Sequence, residues 1–295
     1  MQCETAHPDE VQLYLDGGIG YSWLCDAISR HEDADSSSGV VRRQLSAYVE
    51  PELLVTARIL DFGCGTGGSS LSMARAFPRC QVVGVELNAG PLELARKLAA
   101  SRNVCNVSFV QSSAGDSLFA DPGLFDVIML SAVYEHLKPP ERLAVLPLLW
   151  STLRESGVML FNQTPHSWYP YEHHSAGLWL TNYLPDRLTH WLVRRYAKMN
   201  LSVNRSADWQ DHLRGGIRGG SEREILKIIR AAGGVPRVLQ PLSPQYKDRA
   251  AYWLAATSQR FAALKGIIGM TYRLTDAAFQ TVPSVNLDVA IKKIR

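Results

Sequence analysis

Short apolar runs alternate along the first part of the chain with segments whose apolar residues recur every three or four positions. The runs at Val55 to Leu60, with two interruptions, and at Gln81 to Val85, Val107 to Val110, Phe125 to Leu130 and Gly157 to Phe161 predict strands. Between them, Ser69 to Phe77, Pro91 to Ser101 and Pro139 to Arg154 predict helices. In the second of these, Leu92, Leu94, Ala95, Leu98 and Ala99 share a face, and Pro91 occupies the first turn, where a missing N–H costs nothing. Phe125 to Leu130 is apolar at nearly every position, as a parallel strand buried on both faces requires. Five strands joined through helices by short connections predict a doubly wound α/β sheet. An excursion too long for a simple connection follows the fifth strand and runs to Gly220.

Composition and charge narrow the class. In a chain of 295 residues, 46% hydrophobic content is ample for a buried core. Glu4, Asp9, Glu10 and Asp16 precede any apolar run, which argues against an ordinary signal peptide, and no apolar stretch approaches the length of a membrane span. Five scattered cysteines (Cys3, Cys25, Cys64, Cys80, Cys105) suggest neither a disulfide framework nor a zinc site, so a reducing, cytoplasmic location is expected. The net charge of +3 hides an asymmetry: residues 1–162 carry 12 Lys/Arg against 19 Asp/Glu, and residues 163–295 carry 19 against 9. The basic half raises the prospect of nucleic acid, an anionic acceptor such as a phosphorylated substrate, or peripheral contact with anionic lipid at the inner face of a membrane.

The chemistry centres on Asp61-Phe62-Gly63-Cys64-Gly65-Thr66-Gly67-Gly68, a glycine turn between the first strand and a helix. Such a turn offers backbone N–H groups and a helix N-terminus to a polar ligand, with no Cβ in the way. Gly63, Gly65 and Gly68 also satisfy the dinucleotide spacing, but a carboxylate at Asp61 would repel a pyrophosphate and attract an ammonium group. Glu86, at the tip of the second strand, is placed to accept hydrogen bonds from both hydroxyls of a ribose.

Asp61-x-Gly63-x-Gly65-x-Gly67 resembles motif I of the class I S-adenosylmethionine-dependent methyltransferases. Glu86, the third-strand region and Phe125 to Leu137, with its Glu135-His136-Leu137, follow in that family's order. The resemblance covers Val55 to Phe161. It implies a Rossmann-like, seven-stranded sheet in the order 3-2-1-4-5-7-6, its last strand antiparallel, with Val235 to Leu239 and Val285 to Ile291 as the sixth and seventh strands. It implies S-adenosyl-L-methionine as cofactor, with contacts at Asp61, Gly63, Cys64, Gly65, Gly67, Glu86, Leu87, Ser113, Ala114, Ser131 and Glu135. Ser113 stands where relatives usually carry the acid that meets the adenine amino group, and Asp116 lies three residues late.

The expected organisation is an N-terminal helical arm over residues 1–50, a cofactor-binding core over 51–162, a substrate-binding insertion over 163–219 and a C-terminal part over 220–295 that completes the sheet. In the arm, the polar tract Glu32 to Gly39 reads as a loop before an amphipathic segment, Val40 to Tyr48. In the insertion, aromatic and hydrogen-bonding residues interleave from Trp168 to Trp179, a pattern suited to stacking on a ring while fixing its hydroxyls. Residues 164–188 resemble bacterial methyltransferases of glycan and glycolipid assembly. The expected reaction is therefore O-methylation of a sugar-like, glycolipid or phosphate-linked acceptor. A small-molecule or quinone-like O- or N-methyltransferase is the alternative. An RNA substrate is a lesser alternative, because Ser131-Ala132-Val133-Tyr134 stands where base-flipping enzymes carry Asn-Pro-Pro-Tyr, and a protein that binds the cofactor without catalysis is another.

A hydroxyl acceptor needs a base, and His174 oriented by Glu172 is the first candidate, with His136 second. The Ser175-Ala176-Gly177 that follows leaves room for an acceptor, and the His174 pKa is expected near neutrality. His166, Glu172, His173 and His174 are competent metal ligands, but their spacing lacks an i, i+4 pair and no metal is expected there. Arg187, His190, Arg194 and Lys198 share a predicted helix face that would suit an anionic acceptor. The glycine-rich segment 215–220 reads as a hinge, with a capping box formed by Ser221 and Glu224 after it.

Overall fold

A computed structural model of the chain describes residues 5–19, 21–32, 37–112, 123–197, 204, 206–256 and 264–294. Three helices open it: α1 (Val11–Asp16), α2 (Tyr21–Glu32) and α3 (Ser37–Tyr48). The expected loop at Glu32 to Gly39 is corrected at both ends, since Glu32 closes α2 and Ser37 to Gly39 begin α3. Pro51 then starts a short helix, α4 (Pro51–Thr56), and β1 spans Arg58–Phe62. The apolar run from Val55 therefore straddles two elements: Leu54 faces the core from the helix, and the strand begins only after Ala57 turns extended.

The chain continues through α5 (Gly68–Ala76), β2 (Gln81–Glu86), α6 (Ala89–Ser101), β3 (Val107–Gln111) and β4 (Phe125–Ser131). After α7 (Pro139–Thr152) and β5 (Leu153–Pro165) come a two-stranded ribbon of β6 (Tyr171–Glu172) and β7 (Leu178–Trp179), then α8 (Asp186–Tyr196), α9 (Trp209–Arg214) and α10 (Glu222–Ala231). The last elements are β8 (Pro236–Val238), α11 (Arg249–Ala256), α12 (Lys265–Phe279) and β9 (Asn286–Lys293). The seven-stranded sheet has the order β3-β2-β1-β4-β5-β9-β8. Strand β1 pairs in parallel with β2 and β4, β2 pairs in parallel with β3, and β9 runs antiparallel to β8. This is the topology expected, and β4 is buried along its length save for Ser131.

Two compact units make up the chain: Met1–Ser131 with Ser151–Leu160, and Ala132–Trp150 with Phe161–Arg295. In the first, α2 and α3 pack on α5, and Phe109, Leu92, Leu94, Ala95 and Leu98 join Tyr14 in one apolar cluster. Cys25 is disulfide-bonded, which the scattered cysteines did not announce, while Cys64 and Cys80 are buried free thiols. In the second, Arg249 is fully buried and its guanidinium donates to Glu222 Oε1 at 2.5 Å and to Asp276 Oδ1 at 2.7 Å. The second oxygen of Glu222 accepts from His166 Nε2 at 3.0 Å. Burial pushes the Glu222 carboxyl up, but the His166 hydrogen bond and the Arg249 charge outweigh it and hold the pKa down to about 2.

In the segment 215–220, the last two glycines are closely packed. A Cβ on Gly219 would lie 2.0 Å from the Pro165 carbonyl oxygen, and one on Gly220 would lie 2.6 Å from the Tyr134 ring. Glycine is needed here for close packing, and the buried Arg142 donates to the carbonyls of Arg218 and Gly219. Ser221 caps α10 by accepting from the Glu224 N–H. The Glu224 carboxylate turns to Arg142 instead, so the reciprocal half of the expected box is absent. Among the described residues no helix is long and apolar enough to cross a membrane.

Candidate functional site

In the first unit, β1 delivers Phe62 into a turn where Gly63, Gly65 and Gly67 all adopt left-handed backbone, with φ of 75°, 53° and 82°. A side chain at Gly67 would meet Ala95 Cβ at 2.8 Å and Phe109 at 3.0 Å, so the turn lies directly against α6 and β3. The turn's amides are largely used within the protein, contrary to expectation. Gly63 and Cys64 donate to the Val85 carbonyl, Gly67 donates to the Cys64 carbonyl, and Gly65 donates to Glu86 Oε2 at 3.1 Å. Glu86 is also held by the N–H groups of Leu87 (2.9 Å) and Asn88 (3.1 Å), both on Oε1. Oε2 thus has the most capacity left for a ligand hydroxyl. Leu87 beside it is half exposed.

Asp61 lies beneath the turn. It is buried, and its Oδ2 accepts from the hydroxyls of Ser69 (2.5 Å) and Ser70 (2.6 Å) at the start of α5. Burial raises its pKa, against the pull of the two serines. Burial likewise pushes the Cys64 thiol far above the usual range. His31 of α2 lies 3.2 Å from the Thr66 hydroxyl, which ties the N-terminal arm to the turn. Ser131 closes β4. Ser113, Ala114 and Asp116 lie outside the described residues.

In the second unit, the 3-10 turn Tyr134–His136 holds Glu135 fully buried. Its Oε2 accepts from the Thr164 hydroxyl at 2.7 Å, while its Oε1 is buried with no hydrogen-bond partner. Burial raises the Glu135 pKa, opposed by the neighbouring His136 and by Thr164. His136 Nδ1 lies 2.8 Å from the Arg214 carbonyl, so that nitrogen carries the proton and Nε2 is left facing Glu135 Oε1 at 3.9 Å. The His174 ring stands 5.4 Å from the His136 ring, centroid to centroid. Gly216, with φ of 86°, makes room for both partners, since a Cβ there would sit 3.0 Å from His174 Nε2 and 3.2 Å from Glu135 Cγ.

Two expectations about His174 are corrected. Its pKa is not near neutrality but pushed down to about 4, by burial first and then by the adjoining His136 and His173. Glu172 does not reach its ring. That carboxylate is buried and accepts from four successive backbone N–H groups, His174, Ser175, Ala176 and Gly177, at 2.6–3.2 Å. Four convergent amide dipoles neutralise a buried charge well, so Glu172 shapes the loop that carries His174 and orients the residue only through its backbone. His173 turns to Asn286, and His166 to Glu222, so these histidines do not join His174 in one centre.

The basic face of α8 is also revised. Arg187 and Arg194 are exposed, with Trp191 between them, but His190 packs against Trp209 and His212. Lys198 lies outside the described residues. Of the aromatics in the insertion, Trp168 stacks edgewise on Phe279, and Trp179 packs on Tyr171 with much of its ring exposed. Thr164, Arg214 and Gly216 were not anticipated. Only the glycine run hinted at the last of them.

Residues 59–157 match the family model of a methyltransferase domain. Malonyl-[acyl-carrier protein] O-methyltransferase of Halalkalibacterium halodurans is 36% identical over 107 residues, covering 35% of this chain and 38% of that protein. The chain spans less than half the length of the first curated relatives that it matches. Phosphoethanolamine N-methyltransferase 2 of Haemonchus contortus, solved with S-adenosyl-L-methionine, superposes with a TM-score of 0.50 at 16% identity, covering 97% of this chain and 60% of that one. PKMT2 of Rickettsia typhi gives a TM-score of 0.50 at 17% identity, covering 85% and 52%.

The fold and the matched stretch define a class I, Rossmann-like methyltransferase domain. Residues 59–157, about a third of the chain, match the model of such a domain, and S-adenosyl-L-methionine is the cofactor that this match supports.

Proposed function

We propose that the protein transfers the methyl group of S-adenosylmethionine to an oxygen of a hydroxylated, sugar-like small-molecule acceptor. The observation that carries the reading is the Gly65 to Glu86 hydrogen bond, which seats an acid of the second strand against the glycine turn within the matched stretch. In this reading Glu86 takes a ribose hydroxyl through Oε2, and Leu87 lies against the adenine. Asp61 acts from below, setting the field of the turn while its oxygen holds α5 in place.

Methyl transfer is a displacement at carbon. S-adenosylmethionine held by the glycine turn and Glu86 would supply the methyl and depart as S-adenosylhomocysteine, and the acceptor's hydroxyl proton would pass to His174. The group gathered from Glu135, His136 and His174 is where the reading places the acceptor oxygen. His174→Gln should lower kcat by about 10²-fold with cofactor affinity preserved, measured by steady-state kinetics and calorimetry. The exposed Trp179 and Tyr183 would stack on the acceptor, and the Arg187 and Arg194 face would attract a phosphate or other anionic group on it.

A carboxylate acceptor is the second reading, favoured by the malonyl O-methyltransferase activity of the Halalkalibacterium relative. A carboxylate needs no base, so the two readings diverge in their response to His174→Gln. Acceptor-dependent conversion of labelled S-adenosylmethionine, run over matched panels of hydroxyl and carboxylate acceptors, tests both. Turnover of neither panel by a protein that binds the cofactor would remove the enzymatic reading.

A further inference from the structure

Glu135 and His136 are adjacent in the chain and His174 comes from the later insertion, yet one ligand atom from each lies within 4.8 Å of the others. Each of the first two is held from behind. Thr164 binds the outer oxygen of Glu135, and the Arg214 carbonyl binds the outer nitrogen of His136. Their inner atoms, Glu135 Oε1 and His136 Nε2, face one another at 3.9 Å. Glu135 Oε1 is buried and has no hydrogen-bond partner among the described residues, a costly state for a carboxylate oxygen. The backbone of Gly216 fills the side nearest His174 and Glu135. Glu172, through its four amide bonds, fixes the loop that brings His174 to the group.

We propose that Glu135, His136 and His174 bind one divalent transition-metal ion, of the zinc type, through Glu135 Oε1, His136 Nε2 and a ring nitrogen of His174. Two imidazoles and a carboxylate are the donor set of zinc sites that keep one position open. The outer hydrogen bonds to Thr164 and Arg214 are the supports that such ligands carry, fixing the tautomer of His136 and the free oxygen of Glu135. Ligand atoms about 2.0 Å from a tetrahedral zinc lie about 3.3 Å apart, so the ion draws the three together by side-chain rotation from their present spacing. The open position takes an oxygen of the acceptor, and a hydroxyl bound there releases its proton to solvent water more readily than a free hydroxyl does. The imidazoles then serve as ligands in place of the base role considered for His174 and His136. That catalytic consequence rests on the methyltransferase reading, whereas ion binding does not.

The test is titration of the chelator-treated full chain with Zn²⁺ alone by calorimetry, and with Co²⁺ alone by visible absorption. The expected result is one equivalent bound and cobalt bands of four-coordinate intensity. His136→Ala, His174→Ala and Glu135→Gln should each weaken binding by at least about tenfold. His190→Ala, which alters the separate cluster of His190 and His212, should leave it unchanged. Circular dichroism identifies any variant that fails to fold, and the two histidine variants decide the matter if Glu135→Gln does. Absence of saturable binding to the wild-type chain would overturn the proposal. So would binding that survives both histidine variants or disappears with His190→Ala. Cofactor affinity, measured in a separate titration, reports on the methyltransferase reading independently.

Discussion

Replacing Glu222 by Gln strikes the most deeply buried charge network in the second unit. The carboxylate accepts from Arg249, His166 and the Val282 N–H, and both Glu222 and Arg249 are almost completely shielded from water. Its folded pKa of about 2 lies below the ordinary value of 4.5. That difference corresponds to about 3 kcal/mol of stability at neutral pH, since each pKa unit is worth about 1.4 kcal/mol. Because the folded value is depressed, this stability is complete above pH 4.5 and is lost as the pH falls towards 2. At pH 3 about 1 kcal/mol should remain.

His31 is pushed down to about 4 by burial and the Arg102 charge, so it destabilises wild type and variant alike as the pH falls below 6.5. Only the difference between the two proteins therefore reports on Glu222. Urea unfolding of both proteins across pH 7 to pH 3 should show Glu222→Gln less stable by about 3 kcal/mol at pH 7, with the gap narrowing towards pH 3. A gap below about 1 kcal/mol at pH 7, or one that does not narrow, would refute the reasoning.

Glu86→Ala should weaken S-adenosylmethionine binding by about 1–3 kcal/mol while the chain stays folded, as calorimetric titration would show. Unchanged affinity would move the ribose elsewhere. Gly67→Ala combines a left-handed φ with a Cβ 2.8 Å from Ala95, and thermal unfolding should register a loss of at least about 1 kcal/mol together with weakened cofactor binding. Arg187→Glu with Arg194→Glu should raise KM for an anionic acceptor and leave cofactor affinity nearly unchanged, and added salt should act in the same direction on the wild type. Insensitivity to both would reduce that helix face to a solvated surface.

The parts legible in the sequence were those governed by local chemistry. β2 and β4 declare themselves through β-branched or continuous apolar runs, and the glycines of the turn through positions that only glycine occupies comfortably. Where an apolar run crossed an element boundary the reading slipped, as at Val55, because Pro51 starts a helix whose apolar face is indistinguishable over a few residues from a strand. The cluster of Glu135, His136 and His174 was legible only as separate residues. Nothing local links Glu135 to His174 or either of them to Gly216, and the depressed pKa of His174 depends on burial and on neighbours that the chain supplies from elsewhere. Glu172 was noticed as an acid near a histidine, but its four amide partners are backbone groups, which side-chain patterns do not reveal.

The close packing around Gly219 and Gly220 bears on how this chain could be re-engineered. Gly220 donates to the Pro165 carbonyl and accepts from the Ser167 N–H, and His166 forms a parallel bridge with Gly220, so the insertion leaves and re-enters at adjoining points. A segment whose two ends are already fastened side by side can be cut at those ends and exchanged for another of different length with little change in closure entropy. Residues 167–218 therefore form a natural cassette. Chimeras joined after His166 and before Gly219 would let different segments be grafted onto one framework, provided the two glycines and Arg142 stay with the framework.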